Sequence, residues 1–233
     1  MIRPSLDKIG ITVRDKVIDA LTSCGIPVPP EFAGRIACLA TAIALWGPKT
    51  NLTAAPLDPE ATAFHILDSL APMLISGHPL KAEIAAAMAA GARVLDLGSG
   101  AGFPALVLAS IFDAEFTLAE SRRKRASFLI TTAAEMNLSN VTVQSGTATA
   151  ANFEPRYDIV TERALGPLKM FHPIAGAALR VGGLAIAYSV ESADISQLSA
   201  SAAGLDGPIR LGYSIPGRLD SRRMLMVWRK AEY

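Results

Sequence analysis

The run Val94-Leu95-Asp96-Leu97-Gly98-Ser99-Gly100-Ala101-Gly102-Phe103 decides how the rest of the chain is read. Arg93 to Leu97 is a compact apolar strand, and it runs into a turn built from glycine and small residues. A helix then opens, from about Pro104 to Phe112. Strand, glycine turn and helix in that order are the setting of a nucleotide-binding loop, because glycine permits positive φ and lets a ligand lie against the backbone. A hydride-transfer enzyme wants G-x-G-x-x-G, with its third glycine where this chain has Phe103. The third glycine falls one residue earlier, giving G-x-G-x-G, and a bulky side chain at 103 closes the pyrophosphate approach to the helix N-terminus. The spacing suits a ligand without a pyrophosphate, such as S-adenosylmethionine (SAM), and disfavours an NAD-dependent oxidoreductase.

Outward from this loop, short apolar runs alternate with helical stretches. Glu115 to Ala119 reads as a second strand, Val141 to Val143 as a third, Tyr157 to Thr161 as a fourth and Gly183 to Tyr188 as a fifth. Helices are expected at Ser121 to Met136 and near Lys169 to Arg180. Ile209 to Tyr213 and Met224 to Arg229 look like two last strands, joined by a loop with Pro216 and Gly217. The expected fold is therefore α/β, a Rossmann-like class I SAM-dependent methyltransferase. Its sheet would have seven mostly parallel strands and a C-terminal antiparallel addition, which suits a methyltransferase better than a dehydrogenase. Before residue 91 the chain reads as helices, at Ser5 to Cys24, Pro30 to Trp46, Pro59 to Ser76 and Leu80 to Ala90, with a loop at Gly47 to Thr53. Residues 1–90 are thus expected to be a helical extension packed on a methyltransferase domain at 91–233.

Glu120 lies 22 residues past Gly98, at the C-terminal end of the second strand, where an acidic group can accept both ribose hydroxyl protons. It also reads as an acid near the start of the next helix, favoured there by the helix dipole.

Composition narrows the classes further. The chain has 233 residues, 51% of them hydrophobic and 18% charged, enough apolar material for a large core and too little charge for global disorder. A formal net charge of +1 gives no whole-chain case for nucleic acid, so such a case must rest on local patches. These are Arg122-Arg123-Lys124-Arg125 and the group Arg218, Arg222, Arg223, Arg229 and Lys230, each of which also reads as a solvated face. Cys24 and Cys38 are too few for a disulfide framework or a cysteine-based metal site and read as helix packing in a reducing compartment. His78 and His172 stand beside Pro79 and Pro173 without metal-ligand spacing, so they read as structural or exposed and no metal is expected. Met1 to Lys8 has no signal-peptide core, and the longest apolar stretch, Ile36 to Trp46, falls far short of the roughly 20 residues a spanning helix needs. A soluble, cytoplasmic protein without a membrane partner is expected.

Several separate motifs, in order, resemble the RsmG family, also called glucose-inhibited division protein B. They are Asn51-Leu52-Thr53-Ala54, His65-Ile66-Leu67-Asp68-Ser69-Leu70, the loop from Leu95 to Pro104, Lys124-Arg125 with Phe128-Leu129, and Arg163-Ala164. Many methyltransferases share the glycine loop, whereas the two motifs ahead of it are much more specific. The resemblance implies SAM-dependent methylation of guanine N7 in 16S ribosomal RNA, yielding 7-methylguanosine and S-adenosylhomocysteine. The partner would be 16S rRNA, the small ribosomal subunit or an assembly intermediate, and the small chain without heptads suits a monomer. For the cofactor it implies that Gly98 and Phe103 line the site, to which the loop residues Asp96, Ser99, Gly100 and Gly102 and the ribose acceptor Glu120 are added as candidates. Thr147 and Ala148 would meet the adenine edge, and Arg163 would complete the pocket. The chain departs from the family at Ala148, usually acidic, at Ala105, usually glycine, and at Ser189-Val190-Glu191, where a Lys-Gly turn is common.

The residues bear on chemistry too. Thr161-Glu162-Arg163-Ala164, ending the fourth strand, lacks the Asp/Asn-Pro-Pro-aromatic turn that holds an exocyclic amine, and neither cysteine is placed as the nucleophile of C5 methylation. A target bringing its own nucleophile remains, and guanine N7 fits because no proton need leave. No acid or base is therefore assigned. Arg163 could pair with the methionyl carboxylate or with guanine O6, the former being favoured. Glu162 could stabilise the cation formed on the base, or face outward. His65, Asp68 and Ser69 share one helix face at i, i+3 and i+4, and with Asn51 and Thr53 form either a polar wall over the transfer site or a cluster fastening the helices to the sheet. Arg122 to Arg125, Arg222 and Arg223 are the RNA-phosphate candidates, the last two placed in a loop before the final strand. A small-molecule methyltransferase and a non-catalytic SAM-binding ribosome-assembly module are the rival readings.

Overall fold

The apolar run at 93–97 becomes the middle of a seven-stranded sheet. β1 (Arg93–Leu97) lies parallel between β2 (Glu115–Glu120) and β4 (Tyr157–Arg163), β3 (Val141–Ser145) follows β2, and β5 (Leu179–Val190) follows β4. β7 (Arg218–Lys230) joins β5 antiparallel, and β6 (Leu205–Ile215) pairs antiparallel with β7 at the edge. The order is β3-β2-β1-β4-β5-β7-β6. The computed structural model describes residues 3–190 and 203–232, without the side chains of 3–4 and 219–222; Glu191 thus lies outside the described residues.

Strand order reverses between β1 and β4, and at such a switch point a crevice opens at the carboxyl ends of the strands. Leu97 stands opposite Ala119 on one side and Glu162 on the other. The glycine loop, Glu120 and the turn after β4 therefore converge on one place.

Eight helices surround the sheet among the described residues: α1 (Arg3–Ser23), α2 (Phe32–Thr50), α3 (Pro59–Ser69), α4 (Ala71–Leu74), α5 (Pro79–Ala89), α6 (Ala105–Ala109), α7 (Arg123–Glu135) and α8 (Leu168–Ala178). Proline opens both α3 and α5, where its missing N–H is harmless, and a side chain caps each. Asp58 accepts from Glu60 N at 2.9 Å, and His78 Nδ1 accepts from Leu80 N at 3.2 Å.

Two expectations change here. The loop expected from Gly47 is instead the last turn of α2, which runs through Pro48 to Thr50. Proline forfeits one backbone bond, but Asn51 N–H closes on Gly47 O at 3.0 Å and the Thr50 hydroxyl on Trp46 O at 2.7 Å. Asn51, at φ 52°, then ends the helix in the left-handed conformation. The single helix expected at Pro59 to Ser76 breaks at Leu70, because Pro72 needs the first turn of a new helix.

One apolar cluster joins Val13 and Val17 of α1 and Phe32 and Ile36 of α2 to Val94, Phe116 and Ile159 of the sheet. The N-terminal helices and this sheet face share a core. The other face packs Tyr157, Phe171 and Trp228 together. His172 is buried there, its ring 4.7 Å from that of Trp228, and burial holds its pKa below the ordinary value. Cys38 is half-buried as helix packing requires, but Cys24 is exposed, because α1 ends one residue earlier. No helix among the described residues is long and apolar enough to cross a membrane.

Candidate functional site

The glycine loop is drawn in by backbone bonds from Gly98 N to Ala119 O, 2.8 Å, and from Gly102 N to Ser99 O, 2.7 Å. A Cβ on Gly98 would stand 2.7 Å from Leu165 Cδ1, and one on Gly102 would collide with Leu106. Gly100 differs. At φ 54° its would-be Cβ meets Gly98 O at 3.6 Å and Arg125 Nη1 at 3.8 Å, ordinary contact distances, so a side chain would fill the room above the loop that glycine leaves bare.

Glu120 borders that space. Its Oε2 accepts from Gly100 N at 2.9 Å and its Oε1 from Arg122 N at 2.8 Å, with the residue 4% exposed. The carboxylate thus serves the start of α7 and is held rigid at the strand end. Each oxygen keeps a further lone pair for a ligand's hydroxyls. Gly146 N bonds to Glu120 O at 3.0 Å, which brings the turn with exposed Thr147 and half-buried Ala148 alongside. At the foot of the loop, Asp96 Oδ1 accepts from the Thr161 hydroxyl at 2.6 Å while Oδ2 has no partner among the described residues. Burial raises this carboxyl to about 6. An orphaned acceptor beside an open backbone cradle and a rigid carboxylate fits a nucleoside carrying a cationic amine, as SAM does.

The opposite wall is a buried polar network. Arg163, the last residue of β4, directs Nη1 to His65 O at 3.1 Å and Ser69 Oγ at 3.4 Å, and Nη2 to His65 Nδ1 at 2.6 Å and Asp68 Oδ2 at 3.2 Å. Asp68, fully buried, also accepts from Tyr213 OH at 2.7 Å and from Arg223 Nε and Nη2 at 2.9 and 2.8 Å. Tyr188 OH donates to Ser69 O at 3.0 Å. The network ties α3 to β4, β5, β6 and β7, and it also faces the loop: the His65 ring lies 5.4 Å from that of Phe103, and Arg163 Cζ 5.5 Å. Wall and fastening cluster are one structure. Burial, then Arg163, lower the His65 pKa to about 4, so the imidazole is neutral and its Nδ1 accepts the hydrogen bond that Arg163 Nη2 donates. Burial also pulls the Arg163 guanidinium below its ordinary value, against the opposing pull of Asp68.

Arg163, favoured for the methionyl carboxylate, commits both terminal nitrogens to the wall, and its guanidinium carbon lies 5.5 Å from the Phe103 ring. Two expectations are corrected. Arg223 belongs to β7 rather than to a loop, and its two bonds to Asp68 remove it from the phosphate-contact candidates; the side chain of Arg222, in the same strand, lies outside the described residues. Glu162 is not outward-facing: it is 4% exposed, its Oε2 accepts from Leu165 N at 3.0 Å, and burial raises its carboxyl to about 7.

Of the basic run, Arg122, Arg123 and Lys124 are exposed at the start of α7. Arg125 is half-buried: it donates to the Asn51 carbonyl, and its Nη1 lies 3.8 Å from where a Cβ on Gly100 would stand. Through it the exposed Asn51, and with it half-buried Thr53, whose hydroxyl has no partner among the described residues, are drawn to the edge of the loop. Tyr188 and Tyr213 could not be singled out from sequence, since a tyrosine hydroxyl carries no local signal for pairing with a helix more than 100 positions away.

A sheet of this order, a glycine cradle with no pyrophosphate seat and a carboxylate ending the second strand define a class I methyltransferase. Residues 35–204 match the family described as rRNA small subunit methyltransferase G. A Streptococcus pyogenes serotype M49 protein of that name is 32% identical over 199 residues, 80% of this chain and 78% of that one. The chain belongs to this family, and it is a SAM-dependent methyltransferase. Solved structures share the fold at low identity. MtNAS in complex with S-adenosylmethionine gives a TM-score of 0.55 at 12% identity, over 83% of this chain and 72% of that one. A SAM-dependent methyltransferase from Aquifex aeolicus gives 0.50 at 12%, over 70% and 93%.

Proposed function

We propose that this enzyme methylates N7 of a guanosine in 16S ribosomal RNA, acting as a cytoplasmic monomer on the small subunit or one of its assembly intermediates. The observation that carries this reading is the switch-point cradle, open at Gly100 and bordered by the rigid Glu120 carboxylate. SAM held there supplies a methyl on a sulfonium, which N7 takes with its own lone pair as the carbon–sulfur bond breaks, leaving a neutral thioether and a positive charge on the guanine.

The chain's own residues position and enclose. Glu120 orients the ribose, and Thr147 and Ala148 flank the adenine. Asp96 takes the cofactor's amine, with Gly98, Ser99, Gly102 and Phe103 completing the cradle. Residues 1–90 act as a helical extension whose α3 supplies the target-side wall of His65, Asp68 and Ser69, with Asn51 and Thr53 at its rim. The neutral His65, its Nδ1 taken by Arg163, is a poor general base, and N7 chemistry needs none. Proximity and orientation then supply most of the acceleration. Exposed Arg122, Arg123 and Lys124 contact phosphate.

The test is methyl transfer from labelled SAM to RNA and to small subunits from a strain lacking the gene, mapped by N7-specific cleavage. Label at a single guanine N7 supports the reading. Label elsewhere, or on no RNA, contradicts it.

A further inference from the structure

The turn after β4 holds a feature that methyl transfer to N7 does not by itself require. Glu162 sits at the switch point, opposite Leu97 at the end of β1. Its Oε2 holds Leu165 N–H, and Leu165 in turn rests on Gly98, so the turn 162–165 is clamped against the glycine loop. Ala164 completes this turn at φ 61°, a conformation uncommon outside glycine. Oε1 accepts no hydrogen bond among the described residues, and the side chain makes no ion pair there although Arg163 is its neighbour. Alternation along the strand sends the two apart, Arg163 to Asp68 and Glu162 to the other side. The charged group that acts on it is Asp96, another acid, so no cation among the described residues neutralises Glu162. A buried carboxyl without a cation is expensive to ionise, and at the mouth of a binding crevice it calls for a donor from the ligand.

We propose that Glu162 reads the Watson–Crick edge of the target guanine, its free oxygen accepting from the N1–H and N2–H groups. This rests on the guanine-N7 reading above. A base presented to an enzyme out of its stack is read on that edge. Guanine is the purine with two adjacent donors there, whereas adenine offers an acceptor at N1 that a carboxylate repels. Held by N1 and N2, guanine turns N7, on its Hoogsteen edge, away from the carboxylate, to where the methyl must arrive. The positive charge that forms on the purine makes N1–H more acidic, so the bond to the carboxylate strengthens as the reaction proceeds and favours the transition state over the ground state.

The test compares single-turnover methylation of ligated 16S RNA bearing guanine or inosine at the mapped position; inosine lacks the N2 amine and keeps N7. The wild-type enzyme prefers guanine by about 10- to 100-fold, the range expected for losing a charge-assisted hydrogen bond. Glu162→Gln keeps an oxygen for Leu165 N–H but turns an amide donor toward the base. It loses at least about tenfold on guanine, and the preference over inosine collapses, while SAM affinity by calorimetry stays within about twofold. Glu162→Asp, which keeps the charge, retains the preference at a lower rate. A Gln variant that still prefers guanine, or one that loses SAM binding instead, overturns the assignment. Wild-type enzyme that labels no guanine N7 overturns the reaction itself, an outcome separable from both.

Discussion

Replacing Asp68 by alanine probes the wall most severely. The carboxylate is fully buried and serves Arg163, both donors of Arg223 and the hydroxyl of Tyr213. Its removal leaves two guanidinium groups, with side chains only 11% and 16% exposed, and one phenol without their acceptor. Breaking a buried pair on one side costs about 3–5 kcal/mol. For a chain of this size each kcal/mol moves the melting temperature by about 2–4 °C, so Asp68→Ala should melt about 10 °C or more below the wild type. Asp68→Asn, which keeps one acceptor oxygen, should lose less. The assay is thermal unfolding followed by circular dichroism, with urea unfolding at about 25 °C as a check. A Tm within about 2 °C of wild type would refute the argument that this carboxylate holds α3 to its strands.

Other outcomes rest on the same geometry. Glu162 and Asp96 have folded pKa values raised to about 7 and about 6, so the stability they contribute is present below their unfolded values and is lost as pH rises through 6 to 7. Glu162→Gln should therefore be more stable than wild type at about pH 8, by at most about 3 kcal/mol, with the gap closing toward about pH 4; a gap independent of pH in urea titrations would count against it. His65 runs the other way: with its pKa lowered to about 4, the stability tied to its neutral ring is present above about 6.5 and lost as pH falls toward 4. His65→Gln should flatten that acid limb, and an unchanged limb would show that the ring is freely protonated. Changing Arg122, Arg123 and Lys124 together to glutamine should reduce the slope of log affinity for RNA against log salt by about 2 to 3, read by filter binding; an unchanged slope would mark the run as solvated surface.

The parts of the fold that were legible are those whose signal is local. β1 is buried on both sides, so its apolar run reads as an unbroken strand and its expected ends match. β7 reaches back to Arg218, well before the expected Met224, because polar residues along an antiparallel pair hide the strand. α2 overran its proline for the reason that one lost backbone bond does not stop a helix whose next turn closes on Gly47 and Trp46. The glycine cradle and Glu120 were readable because a strand end fixes both within a short stretch. Arg223 was not: its partner Asp68 lies 155 positions away, and a run of charge says nothing about which member folds inward. From the sequence Glu162 could face the site or face outward, and only the packed structure shows that it is enclosed, as Arg163 is on its own side of the sheet.

The crevice at the end of β1 is where the account stands most exposed. Titration calorimetry of SAM into the wild-type enzyme and into Glu120→Ala addresses it directly. Saturable one-to-one binding by the wild type, weakened at least about tenfold by the substitution with the fold intact, is the expected result, since two ribose hydroxyls would lose a charged acceptor. Equal affinity in the two proteins, or no heat from either, would contradict it.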